Sequence, residues 1–314
     1  MIERRLPRDR AVDLARSLKP ISAGRHDPTL RLRADALLHA THTPEGPATL
    51  GIEPAGEDGW VARAWGTGAA WVLARAERWV GTGDAVPAGF LEAHPELETF
   101  AKRARGVRLV RPGRIVEHLT LLVLQQLVTG KESKRAFGRL VREFSEPAPG
   151  PFPGLWLPLH PERLRAIPSA AFIPLGIVPR MGETLHRVGT FAARLEAAGG
   201  MALADACARL RAVRGIGPWT AASVALGSLG HPDAVVVGDY HLPNTIAYHL
   251  AGEARADDAR MLDLLAPYTG QRGRVQRWVS VAGGKAPRFG PRLALRDLPD
   301  DADRWLRRRT RRGE

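Results

Sequence analysis

The sequence is nearly without cysteine: Cys207 is the single one in 314 residues. That excludes an internal disulfide framework and a four-cysteine iron–sulfur cluster, and it suits a reducing compartment. Cys207 lies in the run Leu203-Ala204-Asp205-Ala206-Cys207-Ala208, whose composition is helical. A small buried hydrophobe is expected there rather than a reactive thiol. Long apolar runs are missing too. No stretch of ~18 uninterrupted apolar residues occurs, and the start Met1-Ile2-Glu3-Arg4-Arg5 leads into no signal-peptide core. Neither a membrane span nor export is expected, and a cytoplasmic location is. Metal-binding patterns are sparse as well. His39 and His42 have an i, i+3 spacing but no nearby cysteine or carboxylate cluster, so no zinc is expected.

Lysine is scarce, with five (Lys19, Lys102, Lys131, Lys134, Lys285) among 46 basic residues. The remaining 41 are arginine, a bias that suits bidentate phosphate contacts but also follows from GC-rich codon usage. Under either cause the formal net charge is +13, with a sequence pI near 11.0. That balance calls for a polyanionic partner, nucleic acid first. Hydrophobic content of 44% with 25% charged residues is enough to fold a core, so disorder is excluded as the main state.

The chain divides by texture. From about Thr29 to Trp65, Leu30 and Leu32 alternate with Arg31 and Arg33, and Ala48, Leu50 and Ile52 alternate in a Pro/Gly-bounded stretch. A small, mostly antiparallel sheet is expected there, with the alanine-rich segment Gly66 to Gly81 as a helix laid across or beside it. After Arg105 the segments become helical: Ile115 to Val128, Pro161 to Leu175, Gly182 to Ala198, Met201 to Val213, Pro218 to Leu229, Asn244 to Leu250 and Asp257 to Ala266. Ser145 to Pro158 is a Pro/Gly-rich connection. The fold class is therefore α+β, with an N-terminal α+β part over 1–105, a mainly helical core over 106–295 and a basic tail over 296–314.

The most informative stretch is Leu210-Arg211-Ala212-Val213-Arg214-Gly215-Ile216-Gly217-Pro218-Trp219-Thr220-Ala221. A helix runs into Gly-Ile-Gly, and a second helix starts at once with proline in the first-turn position it tolerates. The pair, over 203–229, is a hairpin between helices. Its two glycines let the chain turn sharply and leave no side chain between backbone N–H groups and a phosphate, while Ile216 anchors inward. Such a turn grips DNA backbone without reading sequence. A dinucleotide-binding loop fails on context, because its third glycine would fall at Thr220 and the preceding segment is helical. Downstream, the apolar run Ala234 to Val237 ends at Gly238-Asp239-Tyr240-His241. There Asp239 is placed to act on the gripped strand, although an aspartate at such a junction can also be a helix N-cap.

Hairpin and downstream aspartate together resemble the helix-hairpin-helix superfamily of DNA glycosylases, most closely the 3-methyladenine DNA glycosylase II family. The resemblance implies Asp239 as the catalytic carboxylate. Bifunctional members carry a lysine nucleophile where this chain has Trp219, so a monofunctional hydrolase is implied. Trp219 matches the family's pocket tryptophan, which stacks on a flipped base, and Tyr240 and Trp278 are counted in the same pocket. Ser223 stands where the best-matching members have a pocket tyrosine. Gln126 and Leu127 resemble the glutamine and wedge leucine that enter the gap left by the flipped nucleotide. Arg214, Gly215, Ile216, Gly217 and Thr220 form the DNA-binding turn. The partner implied is double-stranded DNA with damaged bases, bound by a monomer. No cofactor is implied beyond a monovalent cation at the hairpin. The competing expectations are a non-catalytic DNA-binding protein built on the same hairpin and a glycosylase for oxidised or mismatched bases.

Overall fold

The computed structural model describes residues 1–7, 11–56, 59–126, 128–284 and 286–287. The Arg-rich tail over 296–314 lies outside the described residues.

Five strands form one antiparallel sheet: β1 (Ile2–Pro7), β2 (Leu30–Leu32), β3 (Leu37–Thr43), β4 (Gly46–Pro54) and β5 (Gly59–Trp65), in the order β1-β5-β4-β3-β2. The register pairs Leu50 with Ala64 and His39, Ile52 with Ala62 and Leu37, and Leu6 with Trp60. One face of the sheet therefore carries Leu6, Leu37, Leu50, Ile52, Trp60, Ala62 and Ala64, all buried. Period-two side-chain alternation is the cause. Against this face pack Val72, Leu73, Trp79 and Val80 from two short helices, Ala69–Leu73 and Glu77–Val80, in keeping with the alanine-rich composition. The opposite face is covered at β3 by the Pro/Gly-rich segment: Leu155 and Leu157 bury against Ala40, and Thr49 donates to the Pro149 carbonyl. That segment is thus part of the sheet layer rather than a free connection.

The longer helices are α1 (Ile115–Leu124), α2 (Gly130–Phe144), α3 (Pro179–Thr190), α4 (Leu203–Arg211), α5 (Pro218–Gly227), α6 (Leu242–Ala251), α7 (Asp258–Leu265) and α8 (Arg272–Ala282). Nine of the ten residues of α1 are buried, and this helix is the spine of the largest apolar core. The helix expected to reach Val128 ends at Leu124, with Gln125 as its C-cap. The segment expected as one helix from Pro161 to Leu175 is broken at Pro168, because a residue before proline is driven out of the helical region. Beyond the break the chain continues as a 3₁₀ stretch, Ser169–Leu175.

Two buried polar clusters tie the layers together. Glu117 of α1 accepts from His39 at 3.1 Å and Thr41 at 2.5 Å on β3, and from Arg114 at 2.6 Å. Burial pushes the Glu117 carboxyl up, but the Arg114 charge and the His39 hydrogen bond outweigh it and hold the group far below the usual carboxylate range. His42 bonds the Pro158 carbonyl, so the two histidines serve packing contacts on separate partners. The second cluster is the buried pair Asp84–Arg274, at 2.6 and 3.2 Å, with the Leu109 amide on the same carboxylate at 2.9 Å. Around it, Leu97 packs with Ile246, Met261 and Leu265, and Ala104 and Val107 pack on Trp278. Residues 90–107 are therefore neighbours of the C-terminal helices in space.

Candidate functional site

The hairpin forms where α4 and α5 meet. The Ile216 amide donates to the Val213 carbonyl at 3.0 Å and closes the turn. Gly215 has φ +100°, and a Cβ there would stand 2.3 Å from the Thr184 hydroxyl oxygen on α3. Only glycine fits. Gly217 differs: its φ of −90° is open to any residue, and a Cβ would meet nothing within 4 Å. Pro218 starts α5, and no side chain caps the helix. The amides of Gly217, Trp219 and Thr220 have no acceptor among the described residues. Uncapped amides at the positive end of a helix form an anion-binding concavity. Arg214 is exposed beside it, as a phosphate contact requires.

Two residues expected to touch DNA do so at most through their backbones. Ile216, 4% exposed, is anchored among Leu210 and Val213, and Thr220, 1% exposed, turns its hydroxyl inward. Gln126 meets the hairpin directly. Its amide nitrogen donates to the Gly215 carbonyl at 3.0 Å and the Thr220 hydroxyl at 3.2 Å, so in this structure it is engaged within the protein. Leu127 lies outside the described residues.

Asp239 follows Gly238, whose φ of +76° makes the bend after the apolar run. A Cβ on Gly238 would lie 3.6 Å from Cβ of Trp219, so the bend is in contact with the second helix of the hairpin. Asp239 Oδ1 accepts from the His241 amide at 2.7 Å and the Leu242 amide at 2.9 Å, while Oδ2 has no partner among the described residues. One oxygen thus holds the two amides at the start of α6, and the other is left unpartnered among the described residues. Trp219 is half-buried, wedged between the main core and the cluster of Ala222 and Val236.

The rest of the expected pocket does not assemble. Tyr240 is 84% exposed and rests edge-on against His241, with ring centroids 4.9 Å apart. Trp278 is 6% exposed and packs with Ala104, Val107 and Phe90. Trp278 is a correction, since helix α8 turns it into a core formed with residues 90–107, while Tyr240 stands exposed one residue after Asp239. Two cavities, of about 300 and 320 Å³, are lined by residues 147–156 and by 128–139 with 173–179, and neither includes Asp239 or Trp219.

Asp258, the first residue of α7, is not among the residues expected at the site. Its Oδ2 accepts from the Gly238 amide at 2.8 Å and fixes the bend, while Oδ1 is buried without a partner among the described residues. In the sequence, Asp257-Asp258 reads only as a helix start, because the contact spans 20 residues. Thr184, which presses on Gly215, carries no signal either. Cys207 sits half-buried on α4, where burial pushes the thiol up, and it has no place in this site.

No protein-family model matches the sequence, and no curated protein matches it. Solved structures do. The 3-methyladenine DNA glycosylase from Archaeoglobus fulgidus superposes with a TM-score of 0.74 at 15% identity, over 89% of this chain and 98% of that one. An 8-oxoguanine glycosylase/lyase from Clostridium acetobutylicum, in complex with double-stranded DNA containing cytosine opposite 8-oxoG, gives 0.65 at 11% identity, over 88% and 96%. At these identities the likeness is one of fold: the chain shares the α+β architecture of these two glycosylases along most of its length.

Proposed function

We propose that this protein is a monofunctional DNA glycosylase that removes alkylated purines, of the 3-methyladenine or 7-methylguanine type, from double-stranded DNA, with Asp239 as the catalytic carboxylate. One observation carries the reading. The Gly238 bend lies against the hairpin's Trp219, and the next residue, Asp239, has one carboxylate oxygen fixed by two amides and the other unpartnered among the described residues.

Each step is assigned to a residue. The bare Gly217 amide and its neighbours hold a phosphate, and Arg214 adds charge. The damaged nucleotide leaves the stack, and its cationic base lies on Trp219. Breaking the N-glycosidic bond builds positive charge on the sugar. A carboxylate ~4 Å away at an effective dielectric of ~20 is worth ~4 kcal/mol, about a thousandfold in rate. A base that already carries positive charge leaves without a general acid. Asp239 Oδ2 also orients the attacking water. With tryptophan at 219 there is no amine for a Schiff base, so the outcome is hydrolysis rather than strand cleavage.

A second reading, a DNA-binding protein without catalysis, has an observation of its own: Asp239 caps α6, and Tyr240 and Trp278 do not close a pocket over it. Incubation with dimethyl-sulfate-treated DNA and chromatography of the freed bases separates the two. Release of methylated purines by the wild type is expected. Asp239→Asn, whose side-chain oxygen still accepts the two amides, should lower release by about a hundredfold or more while duplex binding persists. Duplex binding with no base released would favour the second reading, and release of 8-oxoguanine alone from oxidised DNA would move the substrate class. An Asn variant as fast as the wild type would remove Asp239 from the mechanism.

A further inference from the structure

Gln126 reaches the hairpin from a fixed starting point. Helix α1 is buried along nearly its whole length and stops at Leu124, so the two glutamines beyond it depart from a rigid end. The Gln126 amide nitrogen then donates to two acceptors on opposite arms of the turn, the Gly215 carbonyl at 3.0 Å and the Thr220 hydroxyl at 3.2 Å. An amide nitrogen carries two hydrogens, so both bonds form at once. Gly215 is the positive-φ residue where the chain reverses, and Thr220 stands in the first turn of α5, beside the uncapped amides. Thr220 is almost fully buried, so solvent does not stand ready to replace a lost donor.

A side chain engaged in this way cannot also fill a space inside a duplex without breaking both bonds. We propose that Gln126 is a positioning residue, a strut that locks the phosphate-binding turn to the end of α1, so that the turn that grips the backbone and that helix end meet the duplex as one rigid unit. The proposal rests on the reading of the hairpin as a phosphate grip. It assigns Gln126 to every encounter with DNA, damaged or not.

Equilibrium binding of the full chain to two duplexes of one sequence, undamaged and with a stable abasic analogue, tests it over a range of salt. Gln126→Met keeps the length of the side chain and removes both donors. Thr220→Val removes one acceptor from the opposite side and leaves α1 and the segment after it untouched. Gln126→Met should weaken binding to both duplexes by the same factor, about three- to tenfold, with a salt slope shallower by about one phosphate. Thr220→Val should give a smaller loss in the same direction and add little to Gln126→Met, since both act on one interaction. A loss confined to the abasic duplex would assign Gln126 to the gap and overturn the strut. Unchanged affinities with a lowered melting temperature, an unaltered salt slope, or fully additive losses would overturn it as well. If the wild-type chain binds neither duplex, the hairpin reading falls and takes the strut with it, a result distinct from a wild type that binds and a variant that matches it.

Discussion

Gly215 and Gly217 stand two positions apart, and only the first has to be glycine for the backbone. At Gly215 the φ of +100° and the Thr184 hydroxyl both forbid a side chain. Gly215→Ala should therefore cost ~1–3 kcal/mol in backbone strain alone, with the displacement of Thr184 added, read as a fall in urea-unfolding free energy. At Gly217 the conformation is ordinary and the space is empty. Gly217→Ala should stay within ~1 kcal/mol of wild-type stability and yet, on the proposed reading, weaken duplex binding about tenfold, because the methyl would stand in the path proposed for the phosphate. Equal effects of the two substitutions on both measurements would contradict the division of roles. In the sequence both glycines read alike, as sharp turning points. The difference lies in Thr184, a residue 31 positions away on another helix.

Among elements, legibility tracks locality. The hairpin is readable because Gly-Ile-Gly-Pro sets its own geometry, and α4 and α5 fall within two residues of the expected bounds. Helix α2 is missing from the expected segments although its start is spelled out by Thr129 and Glu132, which form a reciprocal capping box. Strand β1 has no local signal; it exists by pairing with β5, nearly sixty residues away. Trp278 is illegible for the same reason: nothing near it in sequence reveals that Ala104 and Val107 enclose it. The contact between α8 and the earlier chain is fastened by Asp84 and Arg274, both about 95% buried and bonded in two places. Removing one partner strands a charge in the interior. Asp84→Ala should lower unfolding free energy by ~3–5 kcal/mol in denaturant titration. A loss under ~1 kcal/mol would show that the pair is replaceable.

The molecule as a whole carries a titration that links its parts. His118 on α1 is enclosed by Pro20 from the N-terminal part and by Gly227 and Ser228 at the end of α5. Burial pushes its pKa down to about 4 from 6.5, and the bond to the Pro20 carbonyl restores only part. The folded value lies below the unfolded one, so unfolding takes up a proton as the pH falls. The associated stability is complete above pH 6.5 and is lost between 6.5 and about 4, on the order of 3 kcal/mol. His118→Gln should flatten the dependence of unfolding free energy on pH in that window relative to wild type. Identical slopes would place the histidine in a wetter setting than the fold gives it. Glu117, held low, adds its own loss below pH 4.5.

Helix α8, near the end of the described chain, closes a core begun by Leu97, Ala104 and Val107 and holds the carboxylate of Asp84. On the ribosome those early apolar groups leave the exit tunnel long before their cover is translated. At a synthesis rate of ~5–20 residues per second, the roughly 170 residues between Val107 and Trp278 keep that surface bare for about 10–35 seconds. The sheet can pair during this interval, since all its strands lie within the first 65 residues. The nascent chain thus carries a finished sheet beside an open greasy flank, a species that ribosome-associated chaperones would be expected to shield until α8 arrives.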